Sequence, residues 1–209
     1  MSDLEEQLQQ CRKPSGEQGR VTVQEMNECH YKLTGWGLEK VDVEESSTVL
    51  DIGCGGGITA ARLAEMAVKG KVYGIDYSRD CVNWSKQYNE KLITEGRVDI
   101  IHSDVENMPF EAGLFDLVLA VETIYFWPGI ARGFEAVKRV LKPGGKFLII
   151  NAVYPSEMFK ERNERYLAAG EMNIYSSGEL ERLLQEAGFN SISIDTVEEK
   201  NWLRCLSKA

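Results

Sequence analysis

A glycine-rich stretch in the first third of the chain has the composition of a ligand-binding loop. The stretch from Gly53 to Gly57 reads GCGGG and lies between a short apolar run and a run with helical spacing. Glycine permits tight turns and leaves room for a ligand, and the N-terminus of a following helix offers free N–H groups. Asp76 follows 19 residues after Gly57, where a carboxylate can accept hydrogen bonds from both ribose hydroxyls of a nucleotide. This spacing predicts a site for a nucleotide-containing cofactor.

Two common phosphate-binding patterns do not fit this loop. The dinucleotide pattern GxGxxG would need glycine or alanine at position 58, where Ile58 stands. The chain also has no GxxxxGK sequence followed by serine or threonine. The spacing is instead Asp-x-Gly-x-Gly-x-Gly, from Asp51 to Gly57.

Further candidate site groups follow the fourth strand-like run, at residues 114–121. Glu122 comes directly after that run and has three possible roles: general base, a group that orients a second substrate, or contact to the ammonium of a cofactor. Tyr125 lies three residues further on, followed by Phe126 and Trp127, whose aromatic faces suit a bound cation or an apolar pocket. The alternative for these residues is a structural role, as a solvated strand end and a core plug.

His30 is a further candidate, in an N-terminal helical run. It shares a helix face with Met26 and Leu33, and imidazole is the side chain that ordinarily titrates near neutral pH. A packed core histidine is the alternative. We predict Glu122, Tyr125 and His30 as the catalytic residues.

The elements that position these groups alternate between strand and helix. Strands are predicted at 48–52, 71–75, 98–102, 114–121, 146–152, 191–197 and 202–207. Helices are predicted at 21–41, 58–68, 78–94, 130–141, 156–169 and 177–187, with the first broken at Gly35 and Gly37. This rhythm predicts an α/β fold, with a doubly wound, mostly parallel seven-stranded sheet and helices on both faces. Ligands of such sheets bind beyond the carboxyl ends of the strands.

One domain is predicted, with an appendage and two covering segments. The polar residues 1–20 predict a flexible N-terminal arm, and residues 21–209 a single domain. Within that domain, residues 21–44 form an N-terminal helical cap. Residues 154–173 interrupt the strand–helix rhythm after the fifth strand and predict a lid.

Composition excludes several functional classes. The chain has 209 residues and a net charge of −9, which disfavours a nucleic-acid partner. The apolar stretches are strand-sized, so no membrane span is predicted, and the acidic start has no secretory signal. The five cysteines are odd in number and form no CxxC pair, which indicates reduced thiols and a cytoplasmic location. No metal is predicted, because Glu122 and Asn151 lack an evident third oxygen ligand.

Four ordered segments resemble motifs of the class I S-adenosylmethionine-dependent methyltransferases. Residues 51–57 resemble the family's first motif, 102–110 its adenine-binding segment, 115–118 its fourth-strand motif and 140–145 the turn before its fifth strand. Within the family, the chain is similar to the small methyltransferases of the quinone-biosynthesis type. The resemblance implies a Rossmann-like methyltransferase fold, S-adenosylmethionine as cofactor and S-adenosylhomocysteine as product.

The resemblance also implies roles for individual residues. Asp104 would accept a hydrogen bond from the adenine amine, and the Val105 N–H would meet the ring. The predicted cofactor-binding residues are Asp51, Gly53, Cys54, Gly55, Gly57, Asp76, Tyr77, Asp104, Val105 and Val121.

The predicted reaction is in-line methyl transfer to a small organic acceptor. No Asn-Pro-Pro-Tyr or Asp-Pro-Pro-Tyr segment, which marks methylation of planar amines in this family, follows the fourth strand. Two alternatives stay open: a non-catalytic module that binds the cofactor or its product, and a methyltransferase acting on a protein or RNA presented by a partner. The sequence also leaves open C-, N-, O- or S-methylation, and a monomer or a homodimer.

Overall fold

Seven strands form one sheet whose central strands point their carboxyl ends toward the same edge. The computed structural model describes residues 3–170 and 172–209. The strands are β1 Thr48–Ile52, β2 Lys71–Asp76, β3 Val98–His102, β4 Phe115–Val121, β5 Leu141–Asn151, β6 Asn190–Val197 and β7 Trp202–Lys208. Their order is β3-β2-β1-β4-β5-β7-β6, and β7 alone runs opposite to the other six strands. The predicted mostly parallel, seven-stranded sheet is confirmed.

Helices cover both faces of this sheet. In the described part of the chain they are α1 Asp3–Arg12, α2 Gly16–Leu38, α3 Ile58–Met66, α4 Arg79–Tyr88, α5 Glu90–Thr94, α6 Ile130–Val140, α7 Lys160–Ala168 and α8 Ser177–Glu186. Short 3-10 turns at Ile124–Phe126 and Glu157–Phe159 follow β4 and precede α7. None of the described helices combines the length and the apolar character needed to cross a bilayer.

Two apolar layers fill the space between the sheet and its helices. Successive strand residues point to opposite faces, so β5 places Phe147 in one layer and Leu148 in the other. Phe134 of α6 packs in the first layer, and α8 joins it there. Leu33 of α2 and Leu63 of α3 pack in the second layer. The helix α2 is therefore held against the face of the sheet that lies beside the glycine loop.

The sequence predicts one continuous helix over 78–94, whereas the structure has two helices there, separated at Asn89. Ser78 caps its start, because the Ser78 hydroxyl accepts a hydrogen bond from the Cys81 N–H at 3.3 Å. The Asn89 side-chain amide donates to the carbonyls of Ser85 and Gly57, both at 3.0 Å. The chain breaks into α4 and α5 at this residue, and the same side chain holds the glycine loop.

Within the predicted flexible arm over residues 1–20, residues 3–12 form α1 and α2 begins at Gly16, while residues 1 and 2 lie outside the described part of the chain. Acidic residues in the first turn of α1 and Arg12 in its last turn suit the helix dipole. Leu8 is buried against Tyr125, Val153 and Met172. An isolated helix of this length is marginal in water, so α1 depends on contacts with residues far away in sequence.

The predicted break at Gly35 and Gly37 is wrong, because α2 runs unbroken to Leu38. The Ile150 side chain occupies the place where a Cβ atom on Gly37 would stand. Gly37 therefore permits close packing of α2 on β5, rather than ending the helix. The fifth strand likewise begins at Leu141, earlier than predicted, because Leu141 pairs with Phe115 across a register shift.

Candidate functional site

A cavity of about 1300 Å³, counting its open mouth, lies beyond the carboxyl ends of β1, β2, β3 and β4. All but one of the predicted cofactor-binding residues line it, the exception being Gly57. His30 and Glu122 line it as well, whereas Tyr125 does not. The remaining wall comes from α2, α3, the segment between α1 and α2, and the aromatic residues Phe126 and Trp127.

The glycine loop turns through three left-handed glycines, Gly53, Gly55 and Gly57, with φ values of 73°, 50° and 83°. L-residues with side chains rarely adopt these angles. The N–H groups of Gly53 and Cys54 donate to the Ile75 carbonyl at 2.8 and 3.0 Å. The loop is thereby fastened to the end of β2, which brings the two predicted parts of the cofactor site together.

Gly57 supports this loop from below the cavity. Side chains of Ser85 and Asn89 fill the place that a Cβ atom on Gly57 would occupy. Its N–H donates to the Cys54 carbonyl at 2.8 Å. Gly57 is thus a structural residue of the loop and not part of the cavity wall.

Asp76 joins the glycine loop to the start of α4. One carboxylate oxygen accepts from the Gly55 N–H at 2.9 Å, and the other from the Ser78 N–H at 2.8 Å. Burial raises the pKa of Asp76, and these N–H groups oppose the rise. Each oxygen keeps a further lone pair, so the carboxylate can still accept hydrogen bonds from a diol.

Asp51 is the most deeply buried acid of the site, with 1% of its surface exposed. Its Oδ2 has no hydrogen-bond partner among the described residues, although Asp51 lines the cavity. Burial, reinforced by the neighbouring Asp76 charge, raises the pKa of Asp51 to about 7. An unpaired buried oxygen of this kind fits a ligand that carries a cationic or hydrogen-bonding group.

Asp104 organises the loop that follows β3. Its Oδ1 accepts from the backbone N–H groups of Glu106 and Asn107, both at 2.9 Å, in an Asx turn. The next residue, Val105, is buried and packs in the core while also lining the cavity. The structure therefore places both predicted adenine-binding residues at the cavity, with part of the Asp104 carboxylate already engaged.

Beside the glycine loop, Glu122 and His30 form a pair that lines the same cavity. Glu122 has a left-handed backbone, with φ of 57°. Its Oε1 accepts from the Ala152 N–H and from the Tyr125 hydroxyl, the latter at 3.1 Å. Its Oε2 lies 3.7 Å from His30 Nε2. Burial raises the pKa of Glu122, and His30, the Ala152 N–H and the Tyr125 hydroxyl oppose the rise.

Tyr125 is buried behind this pair and does not reach the cavity. Its hydroxyl lies between Glu122 and the Val153 backbone, whose N–H donates to it at 3.0 Å. The structure thus brings two of the three predicted catalytic residues to the cavity and places the third behind Glu122.

Several cavity residues escaped sequence reasoning. Asn27 and Thr34 on α2, and Thr59 and Arg62 on α3, line the wall beside the glycine loop. The Arg62 guanidinium donates to the Tyr31 carbonyl at 3.3 Å. Asn27 lies three residues before His30, and this helical spacing is the only signal in the sequence that connects it to the site.

The segment between α1 and α2 closes the cofactor side of the cavity through three hydrogen bonds, which we call the latch. The Ser78 hydroxyl donates to the Pro14 carbonyl at 2.6 Å, and the Gly16 N–H donates to Asp80 at 2.8 Å. The Tyr77 hydroxyl donates to the Arg12 carbonyl. The latch ties residues 12–16 to the end of β2 and the start of α4.

The segment predicted as a lid lies elsewhere. Within its described part, 154–170 and 172–173, no residue lines the cavity. Met172 and Tyr166 pack against Leu8 of α1 and against Tyr125 instead. Asn163 and Asn201 donate to the Tyr154 carbonyl at 2.8 and 3.0 Å, which holds the beginning of this segment on the turn before β7. The cover over the cavity consists of the latch and α2.

Fold and site together define a class of protein. A sheet of this strand order, a left-handed glycine loop after β1 and a buried acid at the end of β2 are the arrangement expected for class I methyltransferases. Comparison with solved structures agrees on the fold. The chain superposes on the methyltransferase solved with the Haloferax volcanii Trm112 activator with a TM-score of 0.81, 19% identity and coverage of 100% and 98% of the two chains. For a methyltransferase from Aquifex aeolicus the TM-score is 0.72 and the identity 21%, and the superposition covers 98% of this chain and 97% of the other.

Sequence comparison identifies the family. Residues 50–149 match the family model described as a methyltransferase domain. A sterol 4-C-methyltransferase of Caenorhabditis elegans is 28% identical, over 77% of this chain and 50% of its own length. A demethylmenaquinone methyltransferase of Staphylococcus epidermidis is 27% identical, over 75% of this chain and 73% of its own length. Residues 50–149 therefore carry a methyltransferase domain of the class I, S-adenosylmethionine-dependent type, and the predicted class and its cofactor are confirmed. It spans about half the length of the first curated relatives that it matches.

Proposed function

We propose that this protein transfers a methyl group from S-adenosylmethionine to a small organic acceptor. One observation carries the proposal: the glycine loop and two buried carboxylates line the same cavity as the Glu122–His30 pair. A cofactor cradle and a proton-accepting pair that line one space fit a transfer between two bound molecules.

The residues present fit the groups of the cofactor. Asp76 would hold the ribose hydroxyls, and Asp104 and Val105 would receive the adenine. The unpaired oxygen of Asp51 would accept from the ammonium, and Arg62 with Asn27 would bind the carboxylate. When bound, the cofactor supplies a methyl group that is already activated by the positive charge on its sulfur.

On the acceptor wall, the Glu122–His30 pair would take the proton that the acceptor loses when it becomes a nucleophile. The Oε1 atom of Glu122 is occupied by two donors, so Oε2 and the imidazole are the groups that face the cavity. Burial raises the pKa of Glu122, which makes its carboxylate a stronger base than an exposed one. Phe126 and Trp127 add an apolar, flat surface for an organic acceptor.

A small acceptor is supported by charge and by the relatives. The chain carries a net charge of −9, and the named relatives are methyltransferases of sterols and of demethylmenaquinone. All five cysteines are free thiols in the described residues, which supports a cytoplasmic location. We expect a monomer or a homodimer without a nucleic-acid partner.

A substrate presented by a partner is the second candidate. It is favoured by the similarity to the Haloferax volcanii methyltransferase, which was solved in complex with an activator protein. In that case small acceptors would be inert, and methylation would appear only when a cell extract or an activator protein is added.

The deciding experiment is a panel of small acceptors incubated with isotopically labelled S-adenosylmethionine and read by mass spectrometry. On the acceptor found, we expect Glu122→Gln to lower kcat about 10- to 100-fold, with S-adenosylhomocysteine affinity unchanged in calorimetry. Asp76→Asn should instead weaken the affinity for S-adenosylhomocysteine about tenfold or more, because it removes the charge of a hydrogen-bond acceptor. Full activity of Glu122→Gln would contradict the assigned acceptor wall, and cofactor binding without turnover of any acceptor would favour a binding module.

A further inference from the structure

Tyr125 has a buried hydroxyl that is fully engaged by its surroundings. The ring is 1% exposed, and the hydroxyl oxygen accepts the Val153 N–H at 3.0 Å. The hydroxyl has one proton, and two acceptors lie near it: Glu122 Oε1 at 3.1 Å and the Val153 carbonyl at 3.3 Å. The carboxylate is the nearer and the charged acceptor, so the proton points to Glu122.

This hydrogen bond determines which oxygen of Glu122 faces the cavity. The Ala152 N–H and the Tyr125 hydroxyl both donate to Oε1, which leaves Oε2 beside His30 at 3.7 Å. The Glu122 backbone is left-handed, a conformation that costs about 1 kcal/mol or more in a residue with a side chain and persists only where surrounding contacts impose it. Tyr125 is one of those contacts.

Tyr125 is in turn held by segments from both ends of the chain. Its ring packs with Leu8 of α1 and with Met172. Its carbonyl accepts from the Asn173 backbone N–H at 3.0 Å and from the Asn173 side-chain amide at 3.3 Å. The orientation of Glu122 therefore depends on α1 and on the 154–173 segment, neither of which contacts Glu122 through a described hydrogen bond.

We propose that Tyr125 is a positioning residue, which acts through Glu122 and does not touch the acceptor. This inference rests on the proposed function, in which Glu122 serves the acceptor. It replaces the sequence-based assignment of Tyr125 as a catalytic residue.

Tyr125→Phe tests the proposal, because it keeps the ring and removes only the hydroxyl. Tyr166→Phe is the matched control, since Tyr166 packs against the same cluster without a described hydroxyl hydrogen bond. We expect Tyr125→Phe to lower kcat about tenfold with KM and S-adenosylhomocysteine affinity unchanged, and Tyr166→Phe to change none of these.

A second readout needs no acceptor. The Ala152 N–H donates to Glu122, so its NMR chemical shift follows the titration of that carboxyl in the free protein. The groups that face Glu122 are His30 and Cys29 on α2, Cys11 on α1 and Arg162 on α7. Losing one hydrogen bond to the carboxylate should move the midpoint of the Ala152 shift upward by about 0.5 pH unit or more in Tyr125→Phe and leave it in place in Tyr166→Phe. In Glu122→Gln this step in the titration should vanish.

Unchanged kcat and an unchanged Ala152 titration in Tyr125→Phe would overturn the positioning role. Loss of activity in Glu122→Gln together with full activity in Tyr125→Phe would overturn it while the proposed function stands. If Glu122→Gln itself keeps full activity, the proposed role of Glu122 toward the acceptor fails while methyl transfer stands, and the Ala152 titration alone decides whether Tyr125 positions Glu122.

Discussion

The two walls of the cavity are built in different ways. The cofactor wall comes from neighbouring loops after β1 and β2, and it consists of left-handed glycines and buried carboxylates held by backbone N–H groups. The proposed acceptor wall joins three distant parts of the chain: α2 supplies His30, the segment after β4 supplies Glu122 with Tyr125 behind it, and the end of β5 supplies the Ala152 N–H. One wall is a local structure and the other a tertiary one.

This difference separates two kinds of specificity. Replacing Gly53, Gly55 or Gly57 strains a left-handed backbone, so these positions of the cofactor wall favour glycine. The acceptor wall can change when α1, α2 or the 154–173 segment changes, without any alteration of the sheet.

The largest expected effect lies on the cofactor wall, at Asp51. Its pKa in the folded protein is raised to about 7 by burial and by Asp76. The stability that protonated Asp51 gives to the folded protein is fully present below about pH 4. It is lost as the pH rises through 7, because the carboxyl group ionises at a lower pH in the unfolded chain than in the folded one. Between pH 4 and 8 the cofactor-free protein should lose up to about 4 kcal/mol from this group, a loss that Asp51→Asn lacks.

Urea unfolding of both proteins across this pH range, without cofactor, measures the effect. The matching variant at the other group is Glu122→Gln. Wild type should again lose stability relative to this variant as the pH rises, but by less, because His30 and two hydrogen bonds oppose the effect of burial on the Glu122 pKa. Parallel stability curves for wild type and Asp51→Asn would show that Asp51 ionises normally.

The glycine loop gives the next effect. Gly57→Ala should destabilise the protein by about 2 to 4 kcal/mol, because it combines a left-handed backbone with overlap on Ser85 and Asn89. Gly55→Ala is the control, since Gly55 is also left-handed but has nothing within 4 Å of its Cβ position. We expect that control to cost only about 1 kcal/mol in chemical denaturation. Equal costs would mean that backbone angle alone, without packing, makes the loop require glycine.

The smallest effect concerns the latch, which ties the N-terminal segment to the cofactor wall. Asp80→Ala removes the acceptor for the Gly16 N–H, which should lower the stability of this local contact by about 1 kcal/mol. Hydrogen exchange over residues 12–20 should become faster by up to about tenfold, while the sheet stays unchanged. Asp80→Asn keeps an acceptor oxygen and should behave almost like wild type. Slower or unchanged exchange in Asp80→Ala would show that the latch does not hold this segment.

Much of the fold could be predicted because its signals are local. Apolar runs of strand length define β1 and β3 to the residue, and the serine before α4 caps that helix as predicted. The cofactor site could be predicted for the same reason. Gly53, Gly55 and Asp76 lie at strand ends, and a parallel sheet brings its carboxyl ends to one edge whatever the rest of the chain does.

Predictions failed where a distant partner decides the outcome. The composition of residues 3–12 predicts a polar arm, because these residues include few apolar side chains. Their helix is held by packing of Leu8 against Tyr125 and Met172. Gly37 reads as a helix breaker, yet it serves close packing on Ile150. Asn27 and Arg62 belong to none of the four motifs that predicted the cofactor site, and only the packing of α2 beside α3 brings them to the cavity.

The sequence by itself determined the sheet, the class of protein and the grouping of the glycine loop with Asp76, because strand periodicity and glycine spacing act over a few residues. Only the tertiary structure decided that Glu122 and His30 meet, that Tyr125 stands behind them and that the latch, rather than the 154–173 segment, closes the cavity. Those outcomes depend on hydrogen bonds and packing between residues as far apart as His30 and Glu122. Contacts of that range leave no periodic trace in one chain, so three-dimensional packing alone specifies them.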